Sequence, residues 1–599
     1  MTKPLIDPET SAHLNLLRNH IDIKKVPFSD RGSRILVLLD QESPSFYIKL
    51  AERLTTIQPD IEAYLLRPPF IQDLVLLDEE GDALDFTVTT YPHIVNLQTA
   101  AGNFDLVFQD HKTLAIGLPP RARTGIRFHV QPQFWETTDG GGLFKGIRNL
   151  FYTSTCETIR NEITPDKGGY TVEYIVQAGG DSAITLTISD DQQVMPQPQA
   201  LSLTSANAEE RWRKWFAAVP QVSEKYRATY AYAWWIMANN LIGPQGQIAY
   251  EAMMPSKITY VGLWLWDSAM HTLAYRHVDP DLARNQIRAM LACQLDDGML
   301  PDAIYDEGII STIDHPISSE VTKPPILAWA ALKLHEMDPD PDFLQEIYIP
   351  LVRWNAWWFA MNDDDVDGLA QYNHPYSSGL DDNPLWDQGM PVESPDLNTY
   401  LCVQMGSLAT IAEILGIEFE AQMWRRRASA IVHRMLKDMW DEESGLFRAL
   451  HHEQPVQVTT PFNLFPLWTG QLPDEVRERL LIHLTNPAEF WGDFALPSVA
   501  YNDPKFDPQT MWRGPVWVNI NYFFVEALRQ IGEVELAHAL RAKTLELICR
   551  HDSIFEYYNA LNGEPPPTAA DVFGWTAAVF IDLAIQDSRE PREETEPEE

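Results

Sequence analysis

A mainly helical chain, with a closed (α/α)6 toroid preceded by an antiparallel β-sandwich, is the fold the sequence predicts, on three observations. Short β-rich runs separated by turn signals fill residues 31–205. After Glu209 the apolar period changes to that of helices. Roughly twelve helical stripes then follow up to Ile585, a count that suits six hairpins closed into a ring. At 599 residues the chain is too long for one ordinary core, so more than one domain is expected. The boundaries read as a sandwich over 1–207, a linker helix over 208–222, the toroid over 223–587 and an acidic, Pro-containing disordered tail over 588–599.

In the first region the candidate strands include Ile35–Leu39, Phe86–Thr90, 125–130 and 170–176. Glu80-Gly-Asp82, Asp139-Gly-Gly-Gly142 and Lys167-Gly-Gly169 supply turns between them. One segment, 46–56, reads as helix and interrupts the pattern, and the Pro- and Gln-rich stretch 192–200 reads as an exit toward the linker. The helical period begins at 210–216 and continues through 226–241. A helix over 281–294 has Pro280 before it, Asp281 in its first turn and Gly298 beyond it. The segment 320–329, with Pro324 and Pro325, reads as the start of another.

Composition narrows the function. With 85 acidic against 45 basic residues the net charge is −40, which repels phosphate backbones and anionic lipid and argues against nucleic-acid or membrane-surface roles. The 19 Trp and 21 Tyr are many for one chain, and although most are expected in the core, flat amphipathic rings suit sugar faces as well. Cys156, Cys293, Cys402 and Cys549 have no CxxC spacing, so they form neither a zinc motif nor a disulfide framework, and thiols in a reducing compartment fit best. The N-terminus lacks a basic-then-apolar leader, and no stretch approaches ~20 uninterrupted apolar residues, so a soluble, cytoplasmic protein is expected.

The stretch from His374 to Asp387, His-Pro-Tyr-Ser-Ser-Gly-Leu-Asp381-Asp382-Asn-Pro-Leu-Trp386-Asp, sets a carboxylate cluster among turn formers and aromatics and reads as a catalytic loop. A second acidic-aromatic patch, Phe555-Glu556-Tyr557-Tyr558, supplies another carboxyl, and hydrolysis of a glycosidic bond needs two. In Trp264-Leu-Trp266-Asp267, Asp267 either accepts hydrogen bonds from sugar hydroxyls beside Trp266 or caps the following helix. Lys323 offers a contact to an anionic group at a helix mouth. Trp512-Arg513-Gly-Pro-Val-Trp517 joins a fixed cation to two indoles; Arg513 either serves a carboxylate or sugar hydroxyl, or closes a packing corner. Trp491-Gly-Asp-Phe494 is a weaker candidate for the same opening. Asp363, Asp365 and Asp367 before Gly368 match the first half of a calcium loop, but its twelfth position is His374 where a bidentate Glu is expected. A structural calcium ion and a solvated acidic turn both remain open.

Taken together, Trp264-Leu-Trp-Asp267, Thr322-Lys-Pro-Pro325, Ser378-Gly-Leu-Asp381-Asp-Asn-Pro384, Trp512-Arg-Gly-Pro-Val-Trp517 and Phe555-Glu-Tyr-Tyr558 with Phe573-Gly-Trp-Thr576 resemble glycoside hydrolase family 63. That family holds processing and bacterial α-glucosidases and the mannosylglycerate and glucosylglycerate hydrolases, with family 37 trehalases as more distant relatives. The motifs stand in the family's order over about residues 220–585. The resemblance implies an inverting hydrolysis of a small α-glucoside or α-mannoside, with no cofactor. Asp381 falls where the family has its general acid and Glu556 where it has its general base. Asp267, Trp266, Lys323, Trp386, Trp491, Trp512 and Arg513 become the expected sugar-binding residues. Asp382 beside Asp381 is a departure, and the register from Ser378-Gly379 favours Asp381. Two rivals stand beside this reading: a toroid enzyme of another class, such as a phosphorylase or lyase, and a catalytically silent carbohydrate binder. Phosphorolysis needs a basic pocket that these loops do not offer, and a silent relative would be expected to have lost one acid.

Overall fold

The computed structural model describes residues 8–590 apart from 54–68, 139, 147, 167, 191–196 and 495. Its N-terminal region is built on two antiparallel sheets. One runs in the order Ile35–Leu39, Phe46–Leu50, Ile71–Leu77, Arg123–Val130, Gly169–Gln177, Glu157–Asp166. The other runs Phe86–Thr90, Val95–Thr99, Gly102–Asp110, Thr113–Gly117, Ala183–Ser189, Asn149–Ser154, Gly141–Lys145, Phe134–Thr138. Val37, Ile48, Ile126 and Val172 from the first sheet share one apolar core with Leu97, Leu106, Ile116 and Leu186 from the second.

The expected helix over 46–56 is a strand at Phe46–Leu50, hydrogen-bonded along Ile35–Leu39. Phe46, Ile48 and Leu50 are buried while Tyr47 and Lys49 are half-buried, a period of two that decides for a strand. Residues 54–56 lie outside the described residues. Helix α1 is Pro8–Leu16, and α2, expected over 208–222, runs Leu201–Ala217. Its start is set by Leu201 packing tightly on Gly117 of the sandwich. Its other end buries Trp212, Trp215 and Phe216 in the helical core, where the Trp215 indole donates to the Trp234 carbonyl at 2.9 Å.

The remaining helices are α3 (Arg227–Asn239), α4 (Leu265–Tyr275), α5 (Pro280–Leu291), α6 (Leu327–His335), α7 (Pro341–Met361), α8 (Pro395–Ile414), α9 (Glu418–Arg434), α10 (Asp474–Leu484), α11 (Val518–Gln530), α12 (Val534–Cys549) and α13 (Gly574–Arg589). A 3-10 segment, Pro461–Thr469, lies between α9 and α10. Helices α4, α6, α8, the 3-10 segment, α11 and α13 pack each on the next, and α13 returns to α4, so the circuit closes. Helices α5, α9, α10 and α12 pack outside it. The helix expected over 281–294 is α5, and the side chain of Asp279 caps it by accepting the Leu282 N–H at 3.0 Å. Helix α6 begins only at Leu327, because Pro324 and Pro325 hold 321–325 in an open loop. That loop gives Lys323 its reach. The first residues of the tail expected from 588 are helical, since α13 extends to Arg589; residues 591–599 lie outside the described residues.

Candidate active site

The segments that enter the inner helices meet at one mouth of the ring. Tyr260, Trp264, Trp266, Asp267, Lys323, Gly379, Asp381, Trp512, Trp517, Glu556, Phe573 and Trp575 line a small cavity of about 60 Å³. Its walls are interlocked rings. Trp512 stacks on Trp517 at 3.6 Å, Trp517 stacks on Tyr557 at 4.6 Å, and Trp266 meets Trp575 edge-on at 5.0 Å.

Asp381 is delivered by a loop between two 3-10 turns, Pro375–Ser378 and Pro384–Trp386. Gly379 adopts a left-handed φ of +72°, and a Cβ there would meet the Trp266 ring at 2.4 Å, so only glycine lets the loop close on that indole. Asn383 ties the loop to the opposite wall by donating to the Trp512 carbonyl at 2.9 Å, and the Trp386 indole donates to the Leu380 carbonyl at 2.8 Å. Asp381 is half-buried, with Oδ1 sealed and without a hydrogen-bond partner among the described residues. Loss of hydration, opposed by Lys323, pushes its pKa up to about 6. Asp382 points elsewhere, its Oδ1 accepting the Trp512 N–H at 2.8 Å.

Glu556 is almost wholly buried, at 3 % exposure. Both its oxygens are held: the Tyr260 hydroxyl donates to Oε1 at 2.9 Å and the Ala570 N–H to Oε2 at 3.2 Å. Burial outweighs these two donors and pushes its pKa up to about 8. Asp267, also buried, is shifted well above the usual carboxylate range by burial, against the pull of Lys323. It sits inside the first turn of α4, where the cap residue is Trp264 without a side-chain bond, so capping is not its role.

Four expected contacts come out differently. Lys323 is not an open cation at the mouth: its side chain is 5 % exposed, ion-paired with Asp302 at 2.5 Å and donating to the Tyr376 carbonyl at 2.5 Å. Burial lowers its pKa, but Asp302, Asp381 and Asp267 outweigh that and hold it raised. Arg513 does not line the cavity; its guanidinium grips both oxygens of Asp387 at 2.8 and 2.9 Å and donates to the Asp382 carbonyl at 2.9 Å. It is the packing corner, stapling the Asp381 loop to the Trp512 segment. Trp386 and Trp491 are likewise absent from the lining, Trp386 serving as a brace behind Leu380. Tyr260, Asp302, Trp517 and Trp575 were not singled out from sequence. The two indoles lie inside motifs already quoted, whereas Tyr260 and Asp302 sit in segments with no distinguishing pattern.

Away from the cavity, Asp363, Asp365 and Asp367 bring carboxylate oxygens within 4.8 Å of one another. Asp363 Oδ1 is buried without a hydrogen-bond partner among the described residues. Burial, then the three aspartates, push nearby Glu393 up to about 7.

A sequence profile described as the mannosylglycerate hydrolase MGH1-like glycoside hydrolase domain matches residues 260–576, which span this entire mouth. The chain belongs to that family. Among its relatives is the mannosylglycerate hydrolase of Thermus thermophilus, 28 % identical over 406 residues covering 55 % of this chain and 95 % of that protein. The glucosylglycerate hydrolase of Mycolicibacterium hassiacum is 23 % identical over 414 residues, 54 % of this chain and 92 % of that protein. Among solved structures, a family 63 mannosylglycerate hydrolase from Thermus thermophilus in complex with Tris and D-glycerate superposes with a TM-score of 0.51 at 25 % identity, covering 59 % of this chain and 99 % of that one. A bacterial glucoamylase in complex with acarbose covers 94 % of this chain and 96 % of its own with a TM-score of 0.56 at 11 % identity, a likeness of fold that takes in the N-terminal sheets as well. This family 63 chain is a glycosidase. No helix among the described residues is long and apolar enough to cross a membrane.

Proposed function

We propose that this glycosidase is an inverting, exo-acting enzyme that releases a terminal α-linked glucose or mannose from a small glycoside. The observation that carries the reading is the unequal partnering of two carboxyls in one small aromatic cavity. Glu556 has both oxygens held by fixed donors, as suits a base that must keep its orientation while it activates water. Asp381 keeps a buried oxygen without a partner among the described residues, as suits an acid whose partner is the leaving oxygen of the substrate.

Because burial makes both reluctant to ionise, the pair carries a single charge between about pH 6 and about pH 8. The reaction runs from the singly protonated form with the proton on Asp381. There Asp381 protonates the glycosidic oxygen, Glu556 takes a proton from water, and that water attacks the opposite face of the anomeric carbon. Asp267 receives sugar hydroxyls, and the indoles of Trp266 and Trp512 cover the sugar's apolar faces.

The names of the relatives put mannosylglycerate and glucosylglycerate first among substrates, with trehalose, kojibiose, nigerose and maltose after them. Product release from this panel, with NMR of the first-formed anomer, tests the reading: one sugar should appear from the non-reducing end with inverted configuration. A retained anomer would remove the roles of both acids. A phosphorylase is disfavoured because Lys323, the one cation lining the cavity among the described residues, is already paired with Asp302. We further propose an (α/α)6 toroid over 223–587, a sandwich over 1–207, a cytoplasmic location and chemistry without a cofactor. The three aspartates of the 363–367 turn supply the hard oxygen ligands that a structural calcium ion takes.

A further inference from the structure

The sandwich grips the two segments that hold the catalytic carboxyls in place. The first grip is on the turn carrying Tyr260. Lys257, only 1 % exposed, reaches out of that turn and donates to Ser29 Oγ and to the Asp30 carbonyl, both at 3.3 Å. The turn is closed by the Tyr260 N–H bonding the Ser256 carbonyl at 2.9 Å, and Ser256 Oγ donates to the carbonyl of Asp571, next to the Ala570 that holds Glu556. Asp30 itself is fixed by Arg211 of α2 at 2.5 Å.

The second grip is on the hairpin made by Ala303–Tyr305 and Gly308–Ile310. Arg34 clamps Asp306 at the hairpin tip with two bonds of 2.6 and 2.7 Å, both side chains under a tenth exposed. The Arg53 guanidinium lies 4.8 Å from the centre of the Tyr305 ring. Tyr305 meets Trp264 edge-on at 5.9 Å, and Trp264 meets Tyr260 at 5.3 Å, so ring contacts run from the sandwich to the residue that holds Glu556. At the base of the same hairpin Asp302 holds Lys323, the cation whose field acts on Asp381.

We infer that the N-terminal sandwich positions the reacting pair, with Lys257 and Arg53 acting through Tyr260, and Arg34 through the hairpin that carries Asp302. The inference rests on Asp381 and Glu556 being that pair. The sandwich is then a working part of the site, and the three residues are positioning residues that touch no substrate.

The test uses full-length protein and 4-nitrophenyl α-glucoside and α-mannoside, whichever the wild type hydrolyses. A misplacement of about 1 Å costs on the order of a hundredfold. Lys257→Met and Arg53→Met should therefore lower kcat by about ten- to a hundredfold with KM changed by no more than about twofold. Loosening Tyr260 removes a bond that holds the Glu556 pKa down, so the alkaline limb of the pH profile should move upward. Arg53→Lys, which keeps a cation over the ring, should recover much of the loss. Arg31→Ala is the control: it breaks a more exposed interdomain pair, Arg31 to Glu251 at 2.8 Å, whose side chains bond neither gripped segment, and should leave kcat and the pH limbs unchanged. Normal kcat and pH limbs in folded Lys257→Met and Arg53→Met, or an equal change in Arg31→Ala, would overturn the inference. If Lys257→Met does not fold, Arg53→Met decides alone. Glu556→Gln, run alongside, separates the two claims: if it is inactive while the positioning variants are normal, only this inference fails, whereas if it turns over normally the proposed reaction fails first.

Discussion

Asp582 and Glu556 are equally hidden from solvent, at 1 % and 3 % exposure, yet their proton affinities move in opposite directions. Asp582 lies about two turns into α13 from the Phe573–Trp575 rim, at the far end of the ring. Burial would raise its pKa, but Arg276 at 2.7 Å, His277 at 2.8 Å and the Tyr522 hydroxyl at 2.7 Å more than reverse this and hold it well below the usual carboxylate range. Among the described residues Glu556 is given only two neutral donors, and Asp381 keeps an unpartnered oxygen. The same ring thus seals one carboxyl into a permanent ion and leaves two others able to exchange protons. Burial alone does not fix the direction in which a carboxyl's proton affinity moves; the charges and donors it meets do.

The largest expected effect comes from removing the exchanging carboxyls. Glu556→Gln should lose activity by about 10²- to 10⁴-fold on every substrate, since in the proposed reaction Glu556 is the group that activates the water. Asp381→Asn should lose a similar factor on disaccharides but retain relatively more on glycosyl fluorides, which depart without a proton. Steady-state rates on the two substrate types check both, and equal losses on both types in Asp381→Asn would break the assignment of the acid.

Next comes the sealed end. Asp582→Ala leaves the Arg276 charge buried and unpaired and should cost about 3–5 kcal/mol of stability, read from urea unfolding, with kcat little changed in the folded fraction. Because the folded pKa of Asp582 is depressed, its contribution is present above the unfolded value of about 4 and lost as pH falls below it. The variant should therefore differ from wild type less and less on acidification.

Gly379→Ala should come third. The left-handed φ costs an L-residue about 1–2 kcal/mol, and the added Cβ presses on Trp266, so kcat/KM should fall while the sealed end, and unfolding cooperativity, stay intact.

In wild type, kcat/KM should be bell-shaped, rising through about pH 6 and falling through about pH 8 as the pair loses its first and then its second proton. Asp382→Asn should have the smallest effect, moving the acidic limb slightly downward because the charge of Asp382 raises the Asp381 pKa, with the rate plateau near wild type. An unchanged limb would mean that Asp381 owes its shift to burial and Asp302 alone.

What could be read from the chain follows the reach of each interaction. Strand alternation, turn residues and helical stripes are local, so the sandwich-like β region, the helical remainder and the loops before the inner helices are visible in order. The segment 46–56 misleads because a short apolar-polar run satisfies either period until its partner strand is known. The site divides in the same way. Asp267, Asp381 and Glu556 stand out because each lies in a local motif that sets a carboxylate among aromatics. Arg513 stays ambiguous in the chain because its partner, Asp387, lies 126 positions away.

The sequence by itself determined which residues carry the carboxyls and indoles. Only the tertiary structure decided their proton affinities. Tyr260 reaches Glu556 across 296 positions, and Arg276 reaches Asp582 across 306. A pKa is set by the charges, donors and exclusion of water within a few ångströms of a group, and in this ring those neighbours come from distant parts of the chain.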